Sequence, residues 1–261
     1  MTVDIFSQNP YRCRLDWGLR GTQEAAARGD IIVIVDTLSF STAAVTAVHH
    51  GAIVYPCAIE ENPLAIAQCL GAKACLHDLD NPKTECVCLS PMTYLGMKPD
   101  TRVVLASFHG ATCSRYAREV PFLFVGALVN AKATADAVSQ LMQTTNLCVT
   151  AIACGERWLT PKEDEHLRMA VEDYLGAGAI LSYLQYEKSP EALVACGAFR
   201  QMQHQLKDIL WECGSGRELR EGGFATDVCH AAQLNLYNSV PIMRGDCLVK
   251  FDWARLCSYR L

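Results

Sequence analysis

No apolar run in this 261-residue chain is long enough to cross a bilayer as a helix. Its opening residues, MTVDIFSQNPYRCRLDWGLR, lack the basic, apolar and small-residue order of a signal peptide. Both absences predict a cytoplasmic protein with no membrane partner. Basic residues are scarce: 23 Lys and Arg face 28 Asp and Glu, the net charge is -5, and no long basic run occurs. Nucleic acid is therefore not an expected partner. The 14 cysteines contain no CxxC, and the one close pair is Cys86 with Cys88. Cys148 in NLCVTA, Cys154 in AIACG and Cys196 in VACGA stand singly in apolar settings, so they read as small buried hydrophobes rather than disulfide halves. A zinc site built from Cys86, Cys88 and His77 would lack recognisable ligand spacing. Internal repeats and low-complexity segments are missing as well.

What the chain does contain is alternation. IIVIV, AIVYPC, RVVLA, FLFVGAL and LCVTAIAC are strand-like, and STAAVTAVHHG, ENPLAIAQCLG, ATCSRYARE and NAKATADAVSQLMQ are helical. This order predicts an α/β fold, a largely parallel sheet with helices on both faces in three layers. KACLH is a further short strand, residues 81–101 read as an irregular excursion, and Pro161 to Trp211 is helix-rich. After Trp211 a turn-rich link carries a short helical piece, and the tail holds the helix ATDVCHAAQLN and a last strand in VPIMRG. The length suits two interleaved lobes, residues 1–145 with anion-binding loops and 146–261 with an acidic motif, or one compact unit.

Three strand ends carry chemistry. In IIVIVDTLSFST the β-branched run Ile31 to Val35 reads as a strand buried on both faces, which puts Asp36 at its carboxyl end. Ligands of open α/β sheets bind outside such ends, where the next helix offers unpaired N–H groups. Ser39, Ser41 and Thr42 follow, as helix caps or as ligand contacts. The second loop, SFHGATCS, brings Ser107, His109, Gly110 and Thr112. The third, CGERW, brings Glu156 and Arg157, which read either as site residues or as a structural pair. A carboxylate after five buried residues has to be paired, capped or metal-bound, so Asp36 is the residue hardest to explain as scaffold. Further on, Glu172 and Asp173 open the small-residue segment VEDYLGAGAI, and Asp227 opens another helix. Helix-start acids ordinarily serve the dipole, yet acids beside a phosphate site also suit Mg²⁺, which takes oxygen ligands. PKEDEHLR reads as a solvated helix face.

In this order the segments resemble the 2-phosphosulfolactate phosphatase family, the ComB-like enzymes. IIVIVDTLSFSTAAVTAVHHGA stands where that family has a strand, an aspartate and a Leu-Arg-Ala-Thr-Thr type loop, and RVVLASFHGAT where it has a strand and a Thr-Thr-Asn-Gly-Thr loop. FLFVGALVNAKATADAV is similar to its Gly-Ser-Xaa-Leu-Asn-Ala helix start, which carries over Asn130; VEDYLGAGAI and DVCHAAQLNLYNSVPIMRG are similar to its acidic and closing segments. The likeness runs over roughly residues 30–245. It departs at Ser39 and His109, where the family has arginine and asparagine, at CLHDLDNPK, at Asn235, and at an apparent insertion near RWLTPKEDEHLR.

The resemblance implies a Mg²⁺-dependent phosphatase acting on a small anionic phosphate ester. Asp36, Glu156 and Arg157 are then its catalytic residues. Ser39, Ser41, Thr42, Ser107, His109, Gly110, Thr112 and Asn130 bind substrate, and Asp36, Glu172, Asp173 and Asp227 hold the metal. Leu38 stands where a haloacid-dehalogenase route would need a second carboxylate. Two rivals stay open. One is an isochorismatase-like cysteine hydrolase with Asp36, Lys132 and the nucleophile Cys229 in GFATDVCHAAQLN. The other is a non-catalytic anion-binding homologue. A homodimer is the default assembly.

Overall fold

The computed structural model describes residues 5–74, 89–158, 160 and 167–254. The close pair Cys86 and Cys88, His77 and most of PKEDEHLR lie outside them. The chain enters with strand β1 (Cys13–Trp17) and helix α1 (Gly18–Ala27). It then alternates through β2 (Ile31–Val35), α2 (Phe40–His49), β3 (Ile53–Cys57), α3 (Pro63–Leu70), β4 (Lys73–Ala74), β5 (Arg102–Ala106), α4 (Gly110–Tyr116), β6 (Leu123–Val125), α5 (Ala131–Thr145) and β7 (Val149–Ala153). Five helices follow: α6 (Val171–Tyr183), α7 (Pro190–Met202), α8 (Leu206–Glu212), α9 (Gly214–Glu221) and α10 (Ala225–Ala231). A hairpin of β8 (Pro241–Arg244) and β9 (Cys247–Lys250) closes the series.

The nine strands of the described residues form one sheet in the order β1-β7-β2-β6-β8-β9-β3-β5-β4. Two parallel blocks, β1-β7-β2-β6 and β3-β5-β4, are joined by the antiparallel hairpin β8-β9. The expected largely parallel sheet is thus present, and strands from both ends of the chain interleave in it. All five residues of β2 are fully buried, as a strand covered on both faces should be. Ile31, Val33 and Val35 point into one core with residues of α5, α6, α7 and α10, whereas Ile32 and Ile34 point into a second with α1, α2 and α4. This period-two split makes three layers.

The second core also takes Val103 and Leu105 from β5, so the two parallel blocks share it. Five strand steps separate β2 from β5, and each adds roughly 20–25° of twist. The sheet therefore wraps around this core and delivers the carboxyl end of β5 beside that of β2.

Three elements escaped sequence reading: β1, the helix α1 that follows it, and β9. In β1, CRLDW looks too polar for an interior strand, but Arg14 is buried on Asp30 at 3.0 Å, with Arg28 on the same carboxylate at 3.0 Å. The strand β9 is only four residues long and half-exposed, and turns back directly from β8. The small-residue segment of α6 presses on α7, as its composition suggested: a Cβ at Gly178 would overlap the Ala195 carbonyl.

Candidate active site

The loops after β2, β5 and β7 meet at the rim of the sheet. Asp36 is their common point. Its carboxylate is buried; Oδ1 accepts the Phe40 N–H at 3.3 Å, while Oδ2 accepts the Gly110 N–H at 2.8 Å and the Ser107 hydroxyl at 3.4 Å. Glycine is needed at 110, because a Cβ would sit 2.7 Å from Asp36 Oδ2. Burial raises the Asp36 pKa; His109 and the donated hydrogen bonds oppose it.

A cavity of about 500 Å³ opens over this point. Asp36, Leu38 and Ser39 line it from the first loop, Ser107, Phe108 and His109 from the second, Glu156, Arg157 and Trp158 from the third, and Glu218 from α9. The Arg157 guanidinium lies 3.8 Å above the Phe108 ring, and no carboxylate of the described residues pairs with it. His109 Nδ1 lies 4.0 Å from Glu156 Oε2. Burial, and then the charge of Asp36, push the Glu156 carboxyl up to about 7, with Glu172 and Glu218 adding to the rise. Burial also lowers the His109 pKa, aided by Arg157 and opposed by Asp36.

Asp173 braces the rim from α6. Its Oδ1 accepts the Thr37 N–H at 2.7 Å and its Oδ2 the Gly155 N–H at 2.8 Å. Its pKa is driven well upward by burial, then by the charges of Asp36 and Glu172. The buried Glu172 meets the thiol of Cys213.

Several sequence-derived candidates are used elsewhere. Ser41 Oγ donates to the Ile34 carbonyl and accepts from the Asp36 N–H, and Thr42 Oγ1 donates to the Thr37 carbonyl; both are fully buried parts of the loop. Thr112 Oγ1 donates to the Ser107 carbonyl and accepts from the Ile59 N–H. Asn130 has no exposed surface, bridges Ala127 N–H and the Ser239 carbonyl, and is not among the residues lining the cavity. Asp227 accepts from Ser90 at 2.8 Å, and of the four acids expected to hold a metal only Asp36 lines the cavity. Among the described residues no group of three or more His, Cys, Asp and Glu side chains has metal-binding convergence. The backbone cradle expected from the second loop is also occupied: Gly110 N–H serves Asp36, and His109 and Ala111 N–H serve Ser107 Oγ. The anion at that turn is Asp36 itself.

The cysteine-hydrolase triad is not assembled. Cys229 lines a different cavity with Trp211 and His230, and Lys132 is paired with Asp136 at 2.7 Å on the surface. In the other direction, Glu218 joins the site without having been singled out, because α9 approaches it only through tertiary packing. No local signal around GRELRE could have marked it.

Comparison with known proteins agrees with the motif order. The family described as 2-phosphosulpholactate phosphatase matches residues 20–246. A probable 2-phosphosulfolactate phosphatase of Carboxydothermus hydrogenoformans is 31% identical, over 82% of this chain and 87% of its own. The 2-phosphosulfolactate phosphatase of Methanocaldococcus jannaschii is 25% identical, over 84% of this chain and 91% of its own. A probable one from Pseudothermotoga lettingae is 26% identical over 87% and 95%. At these identities, and with the altered loops at Ser39 and His109, the chain belongs to the 2-phosphosulfolactate phosphatase family as a divergent member.

Proposed function

We propose that the protein is a Mg²⁺-dependent phosphatase that hydrolyses a small phosphorylated acid of the 2-phosphosulfolactate type. Matched relatives bearing that name support the reaction class. The observation that carries it to this site is the facing of Asp36, Glu156 and Arg157 across one cavity at the rim of the sheet.

The donor set fits Mg²⁺. Asp36 would offer the ion hard carboxylate oxygens in the cavity lining, while Glu156 serves as the base, its pKa raised first by burial and then by the charge of Asp36. One or two carboxylates suffice for this ion, which otherwise takes substrate oxygens and water. When bound it supplies positive charge to the phosphoryl oxygens.

The remaining work falls to the chain. Arg157, held against Phe108 and without a carboxylate partner among the described residues, turns its charge to the phosphoryl group and stands in for the family arginine replaced by Ser39. Glu156, poised near neutrality, takes the proton of the attacking water. Ser39 and Ser107 line the cavity, and Asp173 keeps the first and third loops in register. The test is phosphate release from 2-phosphosulfolactate and 2-phospholactate with Mg²⁺ or with a chelator. Release that requires the ion supports the reading, whereas release unaffected by chelation removes Mg²⁺ from it. Stabilisation by these esters without turnover would favour an anion-binding homologue.

A further inference from the structure

A second cavity of about 530 Å³ adjoins the first. Ile59, Phe108, His109 and Arg157 line both, so the stacked Phe108 and Arg157 side chains stand at the junction. Trp17, Leu19 and Leu167 form much of the remaining wall, and the thiols of Cys113 and Cys154 are at its floor.

Four large apolar side chains are left partly uncovered around this junction. Phe108 is 47% exposed, Trp158 46%, Ile59 44% and Leu167 43%, and each lines one cavity or both. Clustered exposure of this kind marks a binding surface, while scattered single residues do not. A three-carbon phosphorylated acid fills only a fraction of the first cavity and leaves the second to water.

We infer that the second cavity is a substrate subsite, which receives an apolar, preferably aromatic, group attached to the phosphorylated acid. The phosphate sits between Asp36 and Arg157, and the side group passes Phe108 to pack against Trp17 and Leu167. The site then selects a phosphorylated 2-hydroxy acid with a bulky side chain over phospholactate. This rests on the phosphatase reading above and names its substrate class.

Phospholactate and the phosphate ester of 3-phenyllactate share the same reacting bond and carboxylate and differ by one phenyl group. The expected result is a kcat/KM for the phenyl ester at least about tenfold higher. Filling the second cavity with Leu19→Trp should lower that ratio by a similar factor. Equal or better hydrolysis of phospholactate by the wild type overturns the subsite and leaves the phosphatase reading standing. Release from neither ester, and none from 2-phosphosulfolactate, defeats the phosphatase reading. In that event a fluorescence titration of Trp17 and Trp158 decides the subsite: tighter binding of the phenyl ester retains it, and equal binding removes it.

Discussion

The Asp173 carboxylate holds two loops at once, accepting Thr37 N–H at 2.7 Å and Gly155 N–H at 2.8 Å. Residues 136 and 18 positions away in sequence are thereby fixed to the start of one helix. The Asp36 and Glu156 backbones each lie one position from a residue so held, and their separation across the cavity depends on it. Substituting Asp173→Asn presents an amide N–H to one of these donors. We expect a loss of roughly 1–3 kcal/mol in urea denaturation, since a buried donor is left unmet. Phosphate release should fall further than the loss of folded protein accounts for. Unchanged stability would mean that the brace does not hold the rim.

Glu156 sets the pH dependence. Its carboxyl is raised from 4.5 to about 7 by burial and by the neighbouring Asp36 charge. As the proton acceptor it works ionised, so kcat/KM should climb through about pH 7, and Glu156→Gln should abolish that limb. Stability moves the other way. A raised folded-state pKa contributes stability that is fully present below 4.5 and lost as pH rises through about 7. Wild type should therefore lose stability relative to Glu156→Gln across that window, as followed by denaturant midpoints. A constant difference between the two would show that the carboxyl is not perturbed.

Asn130 separates family resemblance from geometry. The motif suggests a substrate contact, but the side chain is fully buried between Ala127 and Ser239. Asn130→Ala should cost about 1–3 kcal/mol of stability by stranding a buried N–H and a carbonyl. The KM of the remaining folded enzyme should stay put. A large KM increase with stability intact would return Asn130 to the substrate.

The sequence was most readable where side-chain pattern and burial coincide. IIVIV and RVVLA are β2 and β5, and the carboxylate directly after five buried residues stands at the rim. The reading failed where polar residues are satisfied by distant partners. Arg14 makes β1 look like surface until Asp30 is seen beside it. Ser41 and Thr42 carry ligand-like hydroxyls but spend them on their own loop, a choice governed by local backbone geometry. Glu218 reaches the cavity from a helix 62 residues beyond Glu156, a distance that no local spacing rule spans.

The central claim is that Asp36 is part of the reacting site and not merely the acid that caps the turn at Gly110. The direct measurement is phosphate release by wild type and Asp36→Ala at equal folded concentration, with saturating Mg²⁺ near pH 8. We predict release by the wild type and a fall of at least about a thousandfold in the variant. Equal release by the two proteins would contradict the account.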